Sequence, residues 1–158
     1  MDLKVLKFPE PSLKKPAKSV ISTGEAERKT LSRMAETMYL NKGVGLAAVQ
    51  VGIDRQLAVI DVGDGLIKMI NPVIIKREGS KAEEEGCLSV SGITVKVKRA
   101  KKVVVTFLNE NGAVAELKAD GLLARVIQHE VDHLSGKLII DYLSPVKRLF
   151  LKKRKAVS

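Results

Sequence analysis

The 158-residue chain contains two histidines, and both lie in Gln128-His129-Glu130-Val131-Asp132-His133. As a helix, this segment places His129 and His133 at i and i+4 on one face, where two imidazoles can share one metal ion. Glu130 flanks the pair, close enough to handle the proton of a water held by that metal. The same spacing also arises as a polar stripe on a surface helix, but finding both histidines of the chain in one such segment favours the metal. Two histidines lack a third protein ligand, for which thiolate or carboxylate are the usual choices when a position is kept open for water. Cys87 is the only thiol. It sits in Glu85-Gly86-Cys87-Leu88-Ser89, where a glycine permits a sharp backbone path that aims sulfur at a metal and leaves the Leu88 amide facing the site. A lone cysteine forms no intramolecular disulfide, so Cys87 is either a small buried apolar residue or a ligand whose reactivity is blunted by coordination.

These groups need elements to position them. Asp120 is a plausible N-cap for a helix over residues 121–134, with Gly136 as its stop. On that helix Leu122, Val126, His129 and His133 follow at i, i+4, i+7 and i+11, so an apolar stripe leads to the histidines, either as core packing or as the wall of a pocket. Residues 43–52 are rich in glycine and alanine yet lack the strand-turn-helix context of a dinucleotide fingerprint, which argues against nucleotide binding. Gln50 is the polar side chain of that run, offering an amide inward or simply meeting solvent. Strands are expected at 57–62 and 66–75 around Gly63-Asp64-Gly65, with Pro72 marking an edge or a bend, and at 93–97, 103–108 and 113–119, the last two joined by Asn109-Glu110-Asn111-Gly112. Ser22 and Glu25 suggest a capping box for a helix reaching about Asn41, with Leu31, Met34, Ala35 and Met38 on its apolar face. Pro9, Pro11 and Pro16 make residues 1–21 an extended arm. Glu83 and Glu84 read as solvated surface.

Lys and Arg number 28 against 18 Asp and Glu, a formal charge of +10. That balance suggests an anionic neighbour, nucleic acid or ribosome ahead of membrane. Much of it is concentrated in a basic terminal helix expected at about residues 144–156, begun by Ser144-Pro145 and carrying Lys147, Arg148, Lys152, Lys153, Arg154 and Lys155. No apolar run approaches bilayer length, and Met1-Asp2-Leu3-Lys4 lacks the apolar core of a signal peptide, so a cytoplasmic location is expected. The length suits one domain over residues 1–158.

Gly43-Val44-Gly45-Leu46-Ala47-Ala48-Val49-Gln50, the Glu85–Ser89 run and the Gln128–His133 run resemble, in order and at similar spacing, the three signature motifs of peptide deformylases. The resemblance implies an α+β fold in which antiparallel or mixed sheets pack around a central metal-binding helix. It also implies removal of the formyl group from the formylmethionine of nascent polypeptides. Cys87, His129 and His133 would bind the metal, Fe(II) as is usual in the family, with zinc, nickel or cobalt able to replace it. Glu130 would take a proton from the metal-bound water as hydroxide attacks the formyl carbon, then return one to the departing amine. The Gln50 side chain and the Leu88 amide would stabilise the developing oxyanion. Val44, Leu122 and Val126 are candidates for the walls of a methionine slot, with Gly45 holding the substrate backbone through its own main chain. Arg99 with Glu85 and Asp132 forms either an ion-pair group that orients the site or a surface salt bridge. Thr94 stands where many members carry a substrate-contacting arginine, which affects residues beyond the first methionine. The basic helix would dock on ribosomal RNA, and a monomer is expected. Two other classes compete. Zinc peptidases share H-E-x-x-H but usually take a carboxylate or third histidine, and the Cys87 motif argues against them. A basic RNA-binding module with a structural zinc would need a fourth protein ligand that only a carboxylate could supply.

Overall fold

The computed structural model describes residues 3–157, with side chains through residue 154; Met1, Asp2 and the Lys155 side chain lie outside the described residues. The chain runs through α1 (Glu25–Leu40), β1 (Gly45–Ala47), β2 (Leu57–Ile60), β3 (Ile67–Glu78), β4 (Lys81–Cys87), β5 (Val90–Arg99), β6 (Lys102–Leu108), β7 (Val114–Asp120), α2 (Gly121–Leu134) and α3 (Pro145–Val157). This is an α+β fold. One sheet has the order β1-β2-β3-β6-β7, and β4-β5 form a second. All pairings among the described strands are antiparallel.

β3 belongs partly to each half of the large sheet. Its first residues pair with β2, from Leu57↔Ile70 to Ile60↔Ile67, and its later ones with β6. The register shifts between Ile70 and Val73, where Asn71 adopts φ 52° and Pro72 has no N–H to give the ladder. Pro72 therefore marks a bend inside a central strand, not an edge. Asn71 turns this irregularity into a tie, accepting from Val20 N and donating to Val20 O, both at 2.8 Å, and so anchors the amino-terminal arm.

Two local expectations shift for physical reasons. α1 begins after Gly24, not at Ser22, because Glu27 both accepts from Gly24 N at 2.9 Å and receives Arg55 Nη1 at 2.7 Å. Asp120 does occupy the N-cap of α2, yet its side chain makes no capping hydrogen bond. β4 is the element that local pattern conceals. Three successive glutamates have poor strand propensity, and only pairing with β5, from Lys81↔Arg99 to Cys87↔Val90, holds them extended. The pleat then sends Glu85 inward and leaves Glu84 exposed.

α2 is the wall shared by both sheets. Ala124 and Ile127 pack into Ile60, Met69, Val103, Val105 and Ala119 of the large sheet. α1 closes the large sheet from beyond β2, burying Leu31, Met34 and Met38 against Leu46, Leu57, Val59 and Ile70. Gly136, at φ 80°, ends α2, and a Cβ there would lie 2.8 Å from the Lys14 carbonyl carbon, so the arm and the helix end approach as closely as backbone allows. α3 starts at Pro145, with Ser144 Oγ accepting from Lys147 N at 3.3 Å. Among the described residues no helix is long and apolar enough to cross a membrane.

Candidate active site

α2 presents His129 and His133 on one face, with ring centroids 4.8 Å apart and Nε2 atoms separated by 3.1 Å. The tight turn from β4 into β5 brings Cys87 Sγ to 3.3 Å from His133 Nε2. The ligand atoms of Cys87, His129 and His133 all lie within 4.8 Å of one another. A tetrahedral ion bound at the usual nitrogen and sulfur distances separates its donors by roughly 3.4–3.8 Å, so one sulfur and two nitrogens this close fit a single transition-metal ion. Burial opposes charge on His129, but hydrogen bonds to Cys87 and Glu85 overcome it and raise its pKa to about 10. Burial and the neighbouring His129 charge hold His133 well below its ordinary value.

His129 is oriented from behind. Its Nδ1 lies 3.0 Å from Glu85 Oε1, which leaves Nε2 free for a metal. Glu85 is itself buried and receives Arg99 through two bonds of 2.9 Å and Arg125 Nη1 at 2.5 Å. Burial alone would raise its pKa, yet hydrogen bonds from His129 and Arg99 hold it at about 2. Arg99 reaches onward to Asp132 Oδ2 at 2.5 Å and Tyr142 at 3.0 Å, while Tyr142 donates to the same Asp132 oxygen at 2.5 Å. Glu85 and Arg99 are buried and Asp132 is partly exposed, so the Glu85–Arg99–Asp132 group is a largely buried lattice behind the candidate metal ligands, not a surface salt bridge.

Glu130 is 3% exposed, and its Oε2 has no hydrogen-bond partner among the described residues. Burial pushes its pKa up to about 7, against the pull of the His129 and Arg99 charges. Gln50 is buried rather than solvated. Its Oε1 accepts from Ala47 N at 2.9 Å, which forces Nε2 toward Ser89 Oγ at 3.2 Å and Cys87 Sγ at 3.7 Å.

A cavity of about 410 Å³ opens beside these groups, lined by Val44, Gly45, Gln50, Cys87, Leu88, Leu122, Val126, His129 and Glu130 among others. Val126 is a buried wall, whereas Val44 and Leu122 stand half exposed at the mouth. Gly45 leaves no room for a side chain, since a Cβ would sit 2.8 Å from Val126 Cγ1 and 2.9 Å from Glu130 Cδ. Thr94 is exposed on β5.

Two residues gain places that sequence reading did not give them. Arg125, 8% exposed, also lines the cavity, and besides Glu85 it binds the Val97 carbonyl at 3.0 Å, the Lys81 carbonyl at 2.7 Å and Glu83 at 3.3 Å. Its signal was its position four residues before His129, on the same helical face, in a chain with three acids just ahead of Cys87. Ser89, fully buried, is the acceptor that holds Gln50. Glu83 accordingly takes part in ion pairs with Lys81 and Arg125.

Residues 2–149 match the family model described as polypeptide deformylase. A peptide deformylase of Pseudoalteromonas translucida is 48% identical over 155 residues, covering 96% of this chain and 93% of that protein. The crystal structure of a peptide deformylase from Thermotoga maritima superposes with a TM-score of 0.88 at 45% identity, covering 92% of this chain and 99% of that one. A Met-Ala-Ser-bound class I type b peptide deformylase from Acinetobacter baumannii superposes with a TM-score of 0.85 at 31% identity, over 90% and 99% of the two chains. With a matched model spanning nearly the whole sequence and relatives this similar over comparable lengths, the chain belongs to the polypeptide deformylase family.

Proposed function

We propose that this protein hydrolyses the formamide bond of N-formylmethionyl nascent polypeptides, releasing formate and a free amino terminus. The observation that carries the reading is the convergence of Cys87, His129 and His133 on one point, with buried Glu130 alongside and a partly apolar cavity in front. The peptide bound in the Acinetobacter relative, which begins with methionine, supports the substrate class.

Cys87, His129 and His133 would hold one divalent ion, Fe(II) in this reading, with zinc, nickel or cobalt able to take its place. Bound there, the ion supplies Lewis acidity that makes a water nucleophilic near neutral pH. Glu130 takes up the water's proton as oxygen adds to the formyl carbon, and gives a proton to the nitrogen as the C–N bond breaks. Gln50 Nε2 and the Leu88 amide donate to the formyl oxygen as it becomes negative, Gln50 exchanging its bond to Ser89 for one to the substrate. Val126 backs the methionine side chain, with Val44 and Leu122 closing the mouth around it. The Gly45 main chain holds the substrate backbone, since the absence of a side chain lets that backbone pass close to Glu130. Glu85, Arg99 and Asp132 keep His129 presenting Nε2. With Thr94 exposed on β5, recognition beyond the first residue rests on main-chain contacts.

The whole chain acts as one domain, a cytoplasmic monomer whose basic α3 docks on ribosomal RNA. The charge of that helix supports this, with Lys152, Lys153 and Arg154 exposed along it.

Expression under anaerobic conditions with Fe(II) or nickel, followed by deformylation of a formyl-Met dipeptide, tests the reading. The parent should turn over, while Glu130→Ala keeps metal without turnover and Cys87→Ala loses both. Stoichiometric metal with formyl-Met left intact would refute it.

A further inference from the structure

We infer that the amino-terminal arm is a clasp that sets the separation of the two groups assigned above as oxyanion donors, with Lys7 as its positioning side chain. The inference rests on that assignment of Gln50 and the Leu88 amide. The two donors come from different parts of the fold. Gln50 lies in the single 3-10 turn Ala48–Val51 after β1, at the end of the large sheet, and Leu88 lies in the turn between the two strands of the small one.

Three successive arm residues join these turns. Leu6 N donates to Gln50 O at 2.7 Å, and two residues later Phe8 N donates to Ser89 O at 2.7 Å. Between them Lys7 Nζ donates to the Leu88 carbonyl. Two residues span at most about 7 Å, so the Gln50 and Ser89 carbonyls cannot drift apart without breaking one of these bonds. The Leu88–Ser89 peptide is held at both ends, its oxygen by Lys7 and its N–H by Cys87 Sγ at 3.4 Å. Leu6 and Phe8 add side-chain packing against the core cluster that includes Leu13, Val90, Val95 and Val97, against which Cys87 also packs.

The side-chain link between the turns, Gln50 Nε2 to Ser89 Oγ, is the bond that Gln50 gives up when it donates to substrate. The arm's bonds use main-chain carbonyls and the Lys7 ammonium, so they persist while Gln50 changes partner. The clasp therefore holds the spacing at the moment when the direct link is absent. Lys7 is exposed, and replacing it leaves the core untouched.

The test compares Lys7→Met, Lys7→Arg and Gln50→Ala in nickel-loaded enzyme on a formyl-Met dipeptide, with hydrogen exchange of segments 47–52 and 86–90 in the same nickel-loaded proteins. A solvent-exposed hydrogen bond of ordinary net strength corresponds to roughly five- to tenfold in rate. Lys7→Met should lose about that much kcat with KM within twofold and an unchanged melting temperature, and both segments should exchange faster. Lys7→Arg should recover most of the kcat. Parent kcat in Lys7→Met beside a large loss in Gln50→Ala would overturn the clasp, as would unchanged exchange or failure of arginine to rescue. Parent kcat in Gln50→Ala would instead overturn the oxyanion assignment beneath it.

Discussion

Replacing Gly45 by alanine tests the placement of Glu130 apart from the metal ligands. A Cβ at this position would lie 2.8 Å from Val126 Cγ1, 2.9 Å from Glu130 Cδ and nearer still to Glu130 Oε1. Carbon atoms in contact rest about 3.5–4.0 Å apart, so relief requires a retreat of roughly 0.6–1.2 Å. The strand is poorly placed to yield. β1 is paired with β2 from Gly45↔Ile60 to Ala47↔Ala58, and Leu46 and Ala47 are fully buried. The carboxylate of Glu130 moves instead, at an overpacking cost of about 1–3 kcal/mol, equivalent to a fall of roughly 2–12 °C in Tm for a chain of this size. A displacement near 1 Å in a reacting group lowers turnover about 100-fold. The atoms nearest the new methyl belong to Glu130 and Val126, not to Cys87, His129 or His133, and the main chain of residue 45 still offers its hydrogen bonds. Gly45→Ala should therefore bind metal in parent stoichiometry, show KM within a fewfold of the parent, and lose about two orders of magnitude in kcat on a formyl-Met dipeptide. Parent kcat in a folded, metal-loaded Gly45→Ala protein would refute the placement of Glu130 as the proton carrier. Loss of metal would show that the substitution acts on the ligands instead.

Arg125→Met leaves buried Glu85 with one fewer cation and two carbonyls without their donor, a change of about 3–5 kcal/mol; thermal denaturation should show a Tm drop of roughly 6–20 °C, with weaker metal retention against a chelator, and a parent-like melt would contradict the buried lattice. Glu27→Ala removes the acceptor for Gly24 N and should cost about 1 kcal/mol. Hydrogen bonds from its own and the Gly24 backbone hold the Glu27 carboxyl below its ordinary 4.5, so its contribution is present above that value and lost as pH falls through the folded one. Denaturant melts of parent and variant should thus differ at pH 7 and converge in acid, and a difference that persists at pH 2 would argue against the carboxylate as the source. Deleting residues after Leu143 should abolish salt-sensitive co-sedimentation with ribosomes while leaving dipeptide deformylation largely intact; unchanged binding, or binding indifferent to salt, would remove α3 as the docking element.

The features legible from sequence were those set by local geometry. A period of 3.6 residues puts His129 and His133 on one face whatever surrounds the helix, and the bounds of α2 follow from Asp120 and Gly136. The Asn109–Gly112 turn and the Gly63–Gly65 turn likewise carry their own conformational instructions, with Gly112 at φ 81° and Gly63 and Gly65 at φ 111° and 112°. Cys87 could be named as the candidate third ligand because no other thiol exists, and the fold brings its sulfur within 4.8 Å of the nitrogens of His129 and His133.

Tertiary structure decided what depends on partners far along the chain. β4 is a strand only because β5 pairs with it, and the same pairing turns Glu85 from one of three surface-like acids into the buried partner of His129, Arg99 and Arg125. Gln50 could face solvent or the site on local grounds; the Ala47 amide and Ser89 hydroxyl decide between them. Arg125 looks like an ordinary helix cation until the Lys81 and Val97 carbonyls close around it. The arm's prolines announce an irregular segment, yet that its amides reach Gln50 and Ser89 depends on where two separate sheets come together. Periodicity and turn chemistry act over a few residues and are written in them, whereas the pairing of buried charges and the spacing of donors on separate sheets exist only once the chain has closed on itself.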